Sequence, residues 1–434
     1  MNQKQFTEFF QQFHTTISET AINLLAHTTG FCQRLRDIAP FKLIGCLITA
    51  MGSGNIESIA DLQRRFNEWT GQNISYRATY NQLTKEAFPT LMREFVTHLM
   101  NHWVQQTLSF NQGHVLSQFN QILIQDGSSF ALKDSLADKY PGRFTETSPA
   151  AVELHVTMDL LADQPCAISL TPDTLGERDH LPAASELHNR LILIDRGYFD
   201  LSWFDAVDRQ GGFYVARAKN SLNPIVDEGW KEDGAALKHV KEKRLKSIQN
   251  KLFKRQRTEL MVRWEVKKGY WVKARLISFW NADEKRYTWL ITNLPRSEFS
   301  LIIVSDIYRL RWQIELLFKE WKSYANLHRF DTGNEYLVEG LIWASIASAL
   351  MKRFISSSAQ MITGKMLSTR KVAMSCSFYF TRMMVGIMNG KLDEAEDNAR
   401  FLVKFLGDNA RRSHPKRDRK SGRGKLGLKA VGDA

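Results

Sequence analysis

Cysteine is scarce in this 434-residue sequence, and its four cysteines stand far apart: Cys32, Cys46, Cys166 and Cys376. No two of them form a C-x-x-C pair, so the sequence offers neither a zinc knuckle nor a disulfide framework. Long apolar runs are also missing, because the most hydrophobic stretches, around 43–51 and 341–351, are shorter than the ~18 residues of a membrane span. The N-terminus mixes Gln, Glu and Lys among its Phe residues, unlike an export signal. We therefore expect a soluble protein of the reducing cytoplasm with no membrane partner.

Acidic residues are in the minority, since 46 Asp and Glu face 59 Lys and Arg and leave a net charge of +13. The surplus is confined to two segments. Residues 231–275 contain 15 basic and 5 acidic residues, a net of +10, and residues 411–434 contain 9 and 2, a net of +7. The rest of the chain then stands at −4. Two basic segments on a slightly acidic body indicate a polyanionic partner.

The N-terminal region, 1–115, is predicted to be helical because its apolar residues recur at helical spacing. Within it, 56–69 is amphipathic, Gly71 interrupts the pattern, and Ser75 can cap a second helix over 76–87. Two short helices across such a turn are typical of a DNA-binding helix-turn-helix. The second helix would then present Arg77, Tyr80 and Lys85. Ordinary packing in a helical bundle produces the same corner, and both interpretations stay open.

From 116 onward the pattern changes to short strands, two of which lead into an aspartate. Residues 121–125 run into Asp126, and the apolar residues 191–194 run into Asp195. Four apolar residues in a row are typical of a strand that is buried on both faces. A side chain at the end of such a strand emerges at the edge of the sheet. A lone Asp at that position usually forms a turn or caps a helix.

Residues 219–298 form an insertion of different composition. Its first half, through Arg257, is rich in Lys and Arg and is expected to be helical or partly mobile. Its second half, 260–293, alternates as strands do and contains several aromatic residues: Trp264, Tyr270, Trp271, Trp280, Tyr287 and Trp289. Basic residues among aromatics suit nucleic acid, because charges meet phosphates while rings stack on an unpaired base. The alternative is a small sheet with a solvated basic face.

The C-terminal part of the chain is predicted to be mainly helical. One long helix is expected from Ser305 through Trp321, and 335–410 is expected to be a helical region with a possible role in dimerisation. The last segment, 411–434, contains Lys, Arg, Gly and Ser with almost nothing to bury. We therefore expect it to be a disordered basic tail.

The helix around Glu315 combines a polar stripe with an apolar side. At about 100° per residue, Tyr308, Arg311, Glu315 and Lys322 lie within a stripe roughly 60° wide. The apolar side is separate: Ile307, Leu310, Ile314, Phe318 and Trp321. A carboxylate flanked by a phenol, a guanidinium and an ammonium could hold a cation while its neighbours hold phosphates. The alternative is a solvated face with i,i+4 pairs such as Arg311 with Glu315.

Asp126 and Asp195 favour the first of these interpretations. If the helix packs on the same sheet, they form a cluster with Glu315. Three carboxylates without a permanent counter-ion are costly unless divalent cations fill the site. Hard oxygen ligands select Mg²⁺ or Mn²⁺. Two such ions ~3.5–4 Å apart can activate an attacking oxygen and stabilise a leaving oxygen in phosphoryl transfer.

These residues resemble those of a known family. Asp126, Asp195 and Glu315, with the spacing Tyr308-x2-Arg311-x3-Glu315-x6-Lys322, are similar to the acidic triad and the Y-x2-R-x3-E-x6-K motif of bacterial insertion-sequence transposases. The group is the insertion-sequence-four family of the DDE transposases. The Asp-Arg-Gly-Tyr at 195–198 is also similar to the family, and the resemblance extends over about 120–350.

The resemblance implies an α/β fold with an RNase H-like core, 116–218 and 299–334, that is interrupted by a β-rich insertion, 219–298. The helical regions 1–115 and 335–410 would flank this core. It further implies cut-and-paste transposition of an insertion sequence by nicking, hairpin formation, hairpin opening and strand transfer. Double-stranded DNA, as inverted-repeat ends and as target, would be the partner of a homodimer in the synaptic complex.

The resemblance also assigns roles to individual residues. Asp126, Asp195 and Glu315 would bind two Mg²⁺ ions, with Mn²⁺ as a substitute. A second group would contact DNA: Tyr308, Arg311 and Lys322 at phosphates near the cut, and an insertion aromatic, Trp280, Tyr287 or Trp289, on a flipped base. Histidines such as His155 and His188 would be structural. Two alternatives stay open: a catalytically inert DNA-binding protein, such as a domesticated transposase or repressor, and a nuclease of the same fold.

Overall fold

The helices lie at the two ends of the chain and the strands in its middle. The computed structural model describes residues 2–35, 37–53, 56, 58–111, 113–252, 256–281, 285–325, 327, 330–413 and 422–430. The helices before the sheet are α1 (Gln3–Thr16), α2 (Glu19–Thr28), α3 (Pro40–Ser53), α4 (Ile59–Thr70), α5 (Tyr76–Leu83) and α6 (Ala87–His102). Those among or after the strands are α7 (Leu201–Arg209), α8 (Leu245–Ile248), α9 (Leu301–Arg309), α10 (Trp312–Tyr324), α11 (Glu335–Thr363), α12 (Thr369–Ser375), α13 (Ser377–Met388) and α14 (Leu392–Asn409).

Most strands join one large sheet. The strands are β1 (Leu108–Ser109), β2 (Gln121–Ala131), β3 (Pro141–Phe144), β4 (Ser148–Asp159), β5 (Gln164–Pro172), β6 (Arg190–Ile194), β7 (Phe213–Arg217), β8 (Ile225–Lys231), β9 (Lys243–Arg244), β10 (Thr258–Lys267), β11 (Tyr270–Asn281), β12 (Arg286–Thr292) and β13 (Lys429–Ala430). In the described part of the chain, the large sheet has the order β3-β4-β2-β6-β7-β12-β11-β10-β8-β9, with β5 paired to β4.

The strands β5-β4-β2-β6-β7 form the RNase H-like core that the resemblance implies. β2 pairs with β4 antiparallel and with β6 parallel, and β6 pairs with β7 parallel. Because parallel neighbours need a crossover, α7 connects β6 to β7 and packs on the sheet. The residues 191–194 of β6 are fully buried, as their unbroken apolar run predicts. The predicted α/β fold is therefore confirmed.

The insertion extends this core sheet. β12 pairs with β7 on one side and with β11 on the other, so the strands of the insertion continue the sheet beyond its parallel edge. The strands predicted over 260–293 are present as β10, β11 and β12. The prediction of a helical first half is wrong, because its described residues contain β8, β9, the four-residue helix α8 and two short 3-10 turns. This half has many Lys and Arg residues and only a few buried positions, such as Val226, that hold β8 against β10. Its sequence therefore shows no clear strand pattern.

A helical layer covers the core sheet, and α11 is its centre. This helix of 29 residues packs against α6, α3 and α14, and most of its side chains are buried. Helix α11 also contains Lys352 and Arg353, which are buried and bound by polar partners. Within the described ranges, no helix has both the length and the hydropathy to cross a membrane.

The N-terminal corner has the shape expected of two helices across a turn. Helix α4 ends at Gly71, whose φ of 68° favours glycine, and the Ser75 hydroxyl accepts a bond from the Ala78 N–H at the start of α5. Helix α5 ends at Leu83, four residues earlier than predicted. Lys85 therefore lies outside it and donates to the carbonyl oxygen of Phe31. A role of this corner in DNA binding stays a prediction.

The C-terminal segment differs from the prediction where the structure describes it. Residues 414–421 and 431–434 of the predicted tail lie outside the described residues. Residues 422–430, by contrast, are folded onto the body of the protein, so the prediction of disorder is wrong for them. β13 pairs with β1, Leu426 and Leu428 are buried, and the Lys425 Nζ lies 2.7 Å from a carboxylate oxygen of Asp306. Two leucines and one ion pair suffice to dock a short segment that composition alone classifies as disordered.

Candidate active site

Asp126 and Asp195 lie side by side on neighbouring parallel strands. The register pairs Gln125 of β2 with Ile194 of β6, so each aspartate follows one member of the last pair. The apolar run 121–125 predicts that the strand ends at Asp126, which is wrong, because β2 continues to Ala131 and Asp126 pairs with Val156 of β4. The shorter β6 ends at Ile194 and leaves the β6 side of β2 open from Asp126 onward.

The predicted long helix around Glu315 is in fact two helices. Helix α9 ends at Arg309, and α10 begins at Trp312. Between them, Leu310 and Arg311 keep helical dihedral angles but make tight bonds to residues three positions away. This short turn re-aims α10 relative to α9. The geometry of a single straight helix therefore does not apply to Tyr308 and Glu315.

The two helices nevertheless carry their polar side chains to the aspartates. The Arg311 Nη1 donates to Asp126 Oδ2 at 2.6 Å, and its Nη2 donates to Glu315. The Tyr308 hydroxyl donates to Asp195 Oδ1 at 3.1 Å, and the Tyr308 ring centroid lies 5.9 Å from the Arg311 guanidinium carbon. Two groups from the helices thus connect the three carboxylates into one cluster.

Lys322 lies farther from the carboxylates than the other residues of the motif. Its Nζ donates to the carbonyl oxygen of Ser129 at 3.0 Å, three residues beyond Asp126 on β2. Partial burial lowers the pKa of Lys322. This lysine therefore fixes α10 to β2 and presents its charge beside the cluster.

Burial destabilises the charged form of the Asp126 side chain. This burial raises the pKa of Asp126 to about 6. The Arg311 guanidinium and the Gly127 N–H oppose the rise, and the charges of Asp195 and Glu315 add to it. In a free chain the same group has a pKa of about 3.9. The ionised form of Asp126 is therefore destabilised chiefly by its burial, and only in part by its acidic neighbours.

This shift predicts a pH-dependent stability. Because the folded pKa of Asp126 is raised, its stabilising contribution is complete below about pH 4 and is lost as the pH rises through about 6. Asp126→Asn removes the ionisation, so the variant should gain up to about 2–3 kcal/mol of unfolding free energy over wild type between pH 4 and pH 7.5. Chemical denaturation in EDTA measures this difference. The exposed Asp138→Asn is the control, and a difference that stays constant with pH contradicts the assignment.

Two further carboxylates, Glu153 and Glu177, lie near Asp126 and Asp195, and sequence reasoning did not find them. Burial raises the pKa of Glu153 to about 7, the charge of Glu177 adds to the rise, and Arg143 opposes it. A Cβ at Gly127 would collide with Glu153, and one at Gly197 with Glu177. The glycines that follow Asp126 and Asp195 therefore let these two glutamates approach the site. The glycine shortly after each aspartate was the available signal in the sequence, but a glycine near an aspartate is also typical of an ordinary turn.

His155 belongs to the same region, and its structural role stays a prediction with which its contacts are consistent. Its ring stacks on His180 with centroids 3.7 Å apart, and its Nδ1 lies 3.2 Å from the Tyr198 hydroxyl. Burial lowers the pKa of His155 to about 3, and the neighbouring His180 adds to the effect. The other histidine named in the sequence analysis, His188, is exposed, and its Nδ1 lies 2.9 Å from the carbonyl oxygen of Gln210.

The carboxylates have the chemistry of a Mg²⁺ site but not yet its geometry. Asp126, Asp195 and Glu315 supply only hard oxygen donors, and the charges of all three act on the one Arg311 guanidinium, which leaves a formal excess of negative charge. Across the parts of the chain that the structure describes, no three Asp, Glu, His or Cys side chains are grouped closely enough to hold an ion. The reason is Arg311, whose guanidinium lies between Asp126 and Glu315. The donor set therefore fits a divalent cation once this guanidinium moves aside.

The insertion aromatics differ in their accessibility. Trp289 and Tyr287 are 3% and 5% exposed and belong to the hydrophobic core that α7, α8 and the insertion strands share, so neither ring is free to stack on a base in this arrangement. Trp280 is partly buried and meets the Tyr287 ring edge-on at 5.1 Å. The prediction for Trp289 therefore does not fit this structure, and Trp280 stays the candidate. The alternation of residues in the sequence separates the two faces of a strand, but it does not show which face packs on the core.

Comparison with known proteins gives consistent matches. Residues 117–351, more than half of the chain, match the family model described as a transposase DDE domain. The transposase for insertion sequence element IS231E of Bacillus thuringiensis subsp. finitimus is 24% identical, over 74% of this chain and 73% of that protein. The corresponding IS1151 protein of Clostridium perfringens is 20% identical, over 71% and 72%. A solved piggyBac transposase synaptic complex with hairpin DNA has a TM-score of 0.45 and 12% identity, over 94% of this chain and 86% of that chain.

Proposed function

Since the chain belongs to the transposase DDE domain family, we propose that it moves an insertion sequence by a cut-and-paste reaction, with Asp126, Asp195 and Glu315 as its catalytic carboxylates. One observation carries this proposal. Arg311 and Tyr308 connect all three carboxylates at the open edge of β2, although the three residues are far apart in the sequence. The intact cluster gives no support to a catalytically inert DNA-binding protein.

The cluster would hold two Mg²⁺ ions, with Mn²⁺ as a substitute. When bound, such ions activate an attacking oxygen and stabilise a leaving oxygen in phosphoryl transfer. Asp126, Asp195 and Glu315 would supply the ligand oxygens. Arg311 would then leave its carboxylate partners and bind a phosphate next to the cut, where its planar guanidinium can make two hydrogen bonds. Tyr308 and Lys322 would contact neighbouring phosphates.

The steps of the reaction follow the family resemblance. A water would first hydrolyse one strand at the end of the element and leave a free 3′-OH. That hydroxyl would attack the phosphorus of the opposite strand, which forms the hairpin and releases the flanking DNA. A second water would reopen the hairpin before the 3′-OH attacks target DNA. Two copies of the chain would act together on the paired ends.

An in vitro cleavage assay tests this function. The full chain is incubated with DNA that carries the short inverted repeats flanking its gene, in Mg²⁺ or in EDTA. We expect nicks at the repeat ends and then hairpins, in Mg²⁺ only. A substrate with scrambled ends is the control for specificity. Absence of end-specific cleavage in both Mg²⁺ and Mn²⁺ would overturn the proposal.

A further inference from the structure

An open groove begins at the catalytic carboxylates and leads away from them. Its first part, about 650 Å³, is lined by Asp126 and Asp195 at one end and by Arg178, Arg196 and Lys219 along its walls. A second part, about 440 Å³, continues toward Trp264 of β10. Arg178 and Lys219 line both parts, which therefore form one groove.

Two cations of this groove, Arg196 and Lys219, have no described carboxylate in direct contact, although Glu177 in the groove wall lies close enough to Arg196 for their charges to attract. Among the described residues, no carboxylate oxygen lies within 4 Å of a side-chain nitrogen of Arg196 or Lys219. The Lys219 Nζ instead lies 5.8 Å from the Phe199 ring centroid, and the Arg178 Nη1 lies 3.8 Å from Asp200 Oδ2. Basic side chains that lack such partners along a groove suit a chain of phosphates, because they need not first break an ion pair.

The far end of the groove offers a hydrogen-bond donor. Trp264 is 8% exposed, and its indole N–H is buried with no acceptor in the described part of the chain. A buried donor without an acceptor costs roughly 1–3 kcal/mol. A base edge or a phosphate oxygen in the groove would satisfy it.

The size of the groove limits what it can hold. Its two parts, about 650 and 440 Å³, are each in the range of a small-molecule site, which is roughly 300–1,000 Å³. A few nucleotides of one strand match this size.

We propose that this groove holds a single DNA strand next to the cut phosphodiester, with Arg196 and Lys219 on successive phosphates and Trp264 at its far end. The inference rests on the proposed function and deepens it, because it assigns the path of the strand that leaves the carboxylates. Arg196 and Lys219 bind DNA here as positioning residues. In this arrangement the insertion contacts the DNA strand through Trp264 of β10, and its buried Trp289 is not required for binding.

Binding measurements on two kinds of DNA test the strand path. Affinities are measured in EDTA, between low and moderate salt, for a blunt duplex that ends at the cut and for the same duplex with an unpaired extension of four nucleotides of either polarity. Arg196→Ala and Lys219→Ala should each lower the salt slope for an extended duplex by about 0.7 and leave the blunt duplex unchanged. Trp264→Phe should weaken binding of the same extended duplex about 3–10-fold.

Control variants and a cleavage assay separate the possible outcomes. Arg93→Ala on α6 and Lys404→Ala on α14 remove exposed charges outside the groove and should change neither slope. Wild-type binding to both extended duplexes by the groove variants, or equal losses on the blunt duplex, would overturn the strand path. If the groove variants weaken binding of the extended duplex as expected but the wild-type protein never cleaves DNA, the proposed function is refuted and the proposed strand path is retained.

Discussion

Glu315→Gln is expected to lower the rate of DNA cleavage by at least about 10²–10³-fold while DNA affinity stays within about twofold. Glutamine has the size of glutamate and keeps the helix α10, but it lacks the charge that would hold a divalent cation. Glu315 is also one of the two carboxylates on Arg311, so the variant leaves that guanidinium with Asp126 alone. Single-turnover cleavage of an end-containing duplex, together with its binding curve, measures both quantities.

One control variant and two possible outcomes test this result. Glu94→Gln on the exposed side of α6 is the matched control, and it should cleave at the wild-type rate. A Glu315→Gln enzyme that retains more than about a tenth of wild-type cleavage would remove Glu315 from the catalytic set. If DNA affinity fell together with cleavage, the residue would instead belong to the DNA-binding surface.

Arg311→Ala is expected to have the second-largest effect, on folding as well as on catalysis. The guanidinium bonds two carboxylates and is only 16% exposed, so its removal leaves an uncompensated negative cluster. We expect a loss of about 2–3 kcal/mol of unfolding free energy in EDTA, a value below that of a fully buried pair because Glu315 is partly solvated. Mg²⁺ should restore more stability to this variant than to wild type, because the ion takes the place of the lost cation.

Thermal unfolding in EDTA and over a Mg²⁺ titration measures both parts of this prediction. Arg311→Lys is the matched variant, because lysine keeps the charge but cannot make two parallel bonds to separate carboxylates. Its stability should lie between those of wild type and Arg311→Ala. Equal stabilisation of all three proteins by Mg²⁺ would contradict a guanidinium that occupies the place of the ions.

The sequence was sufficient to predict the fold class and the family. Unbroken apolar runs marked the buried strand β6, and the spacing of Tyr308, Arg311, Glu315 and Lys322 indicated an insertion-sequence DDE transposase, which the family match confirms. Placement in the insertion-sequence-four group stays a prediction. Asp126 and Asp195 meet because β2 and β6 are parallel neighbours in register, and Arg311 connects Glu315 of α10 to Asp126.

Details of the site were not predictable in the same way. The turn at Leu310 and Arg311 is made of residues with ordinary helix propensity, so nothing in the local sequence marks the boundary between α9 and α10. Glu153 and Glu177 come close to Asp126 and Asp195 only through the pairing of β2 with β4 and the fold of the following segment. Such contacts depend on tertiary packing rather than on local pattern.

The burial of the insertion aromatics was also not predictable from the sequence. Its aromatic residues were predicted to contact DNA because composition alone cannot tell which face of a strand is covered. The structure buries Trp289 against the α7 side of the sheet, since the insertion continues the core sheet instead of forming a separate one. The groove cations Arg196 and Lys219 lie outside the segment of greatest net charge, so counting charges did not reveal them.

Iron-directed cleavage of the polypeptide tests the central claim most directly. Fe²⁺ can substitute for Mg²⁺ at oxygen ligands, and with ascorbate and peroxide it cuts the backbone beside its own site. We predict fragments that end near residues 126, 195 and 315, suppressed by excess Mg²⁺ and lost in Asp195→Asn. Fragments elsewhere in the chain, or fragments unchanged by Asp195→Asn, would contradict a metal centre built from these three carboxylates.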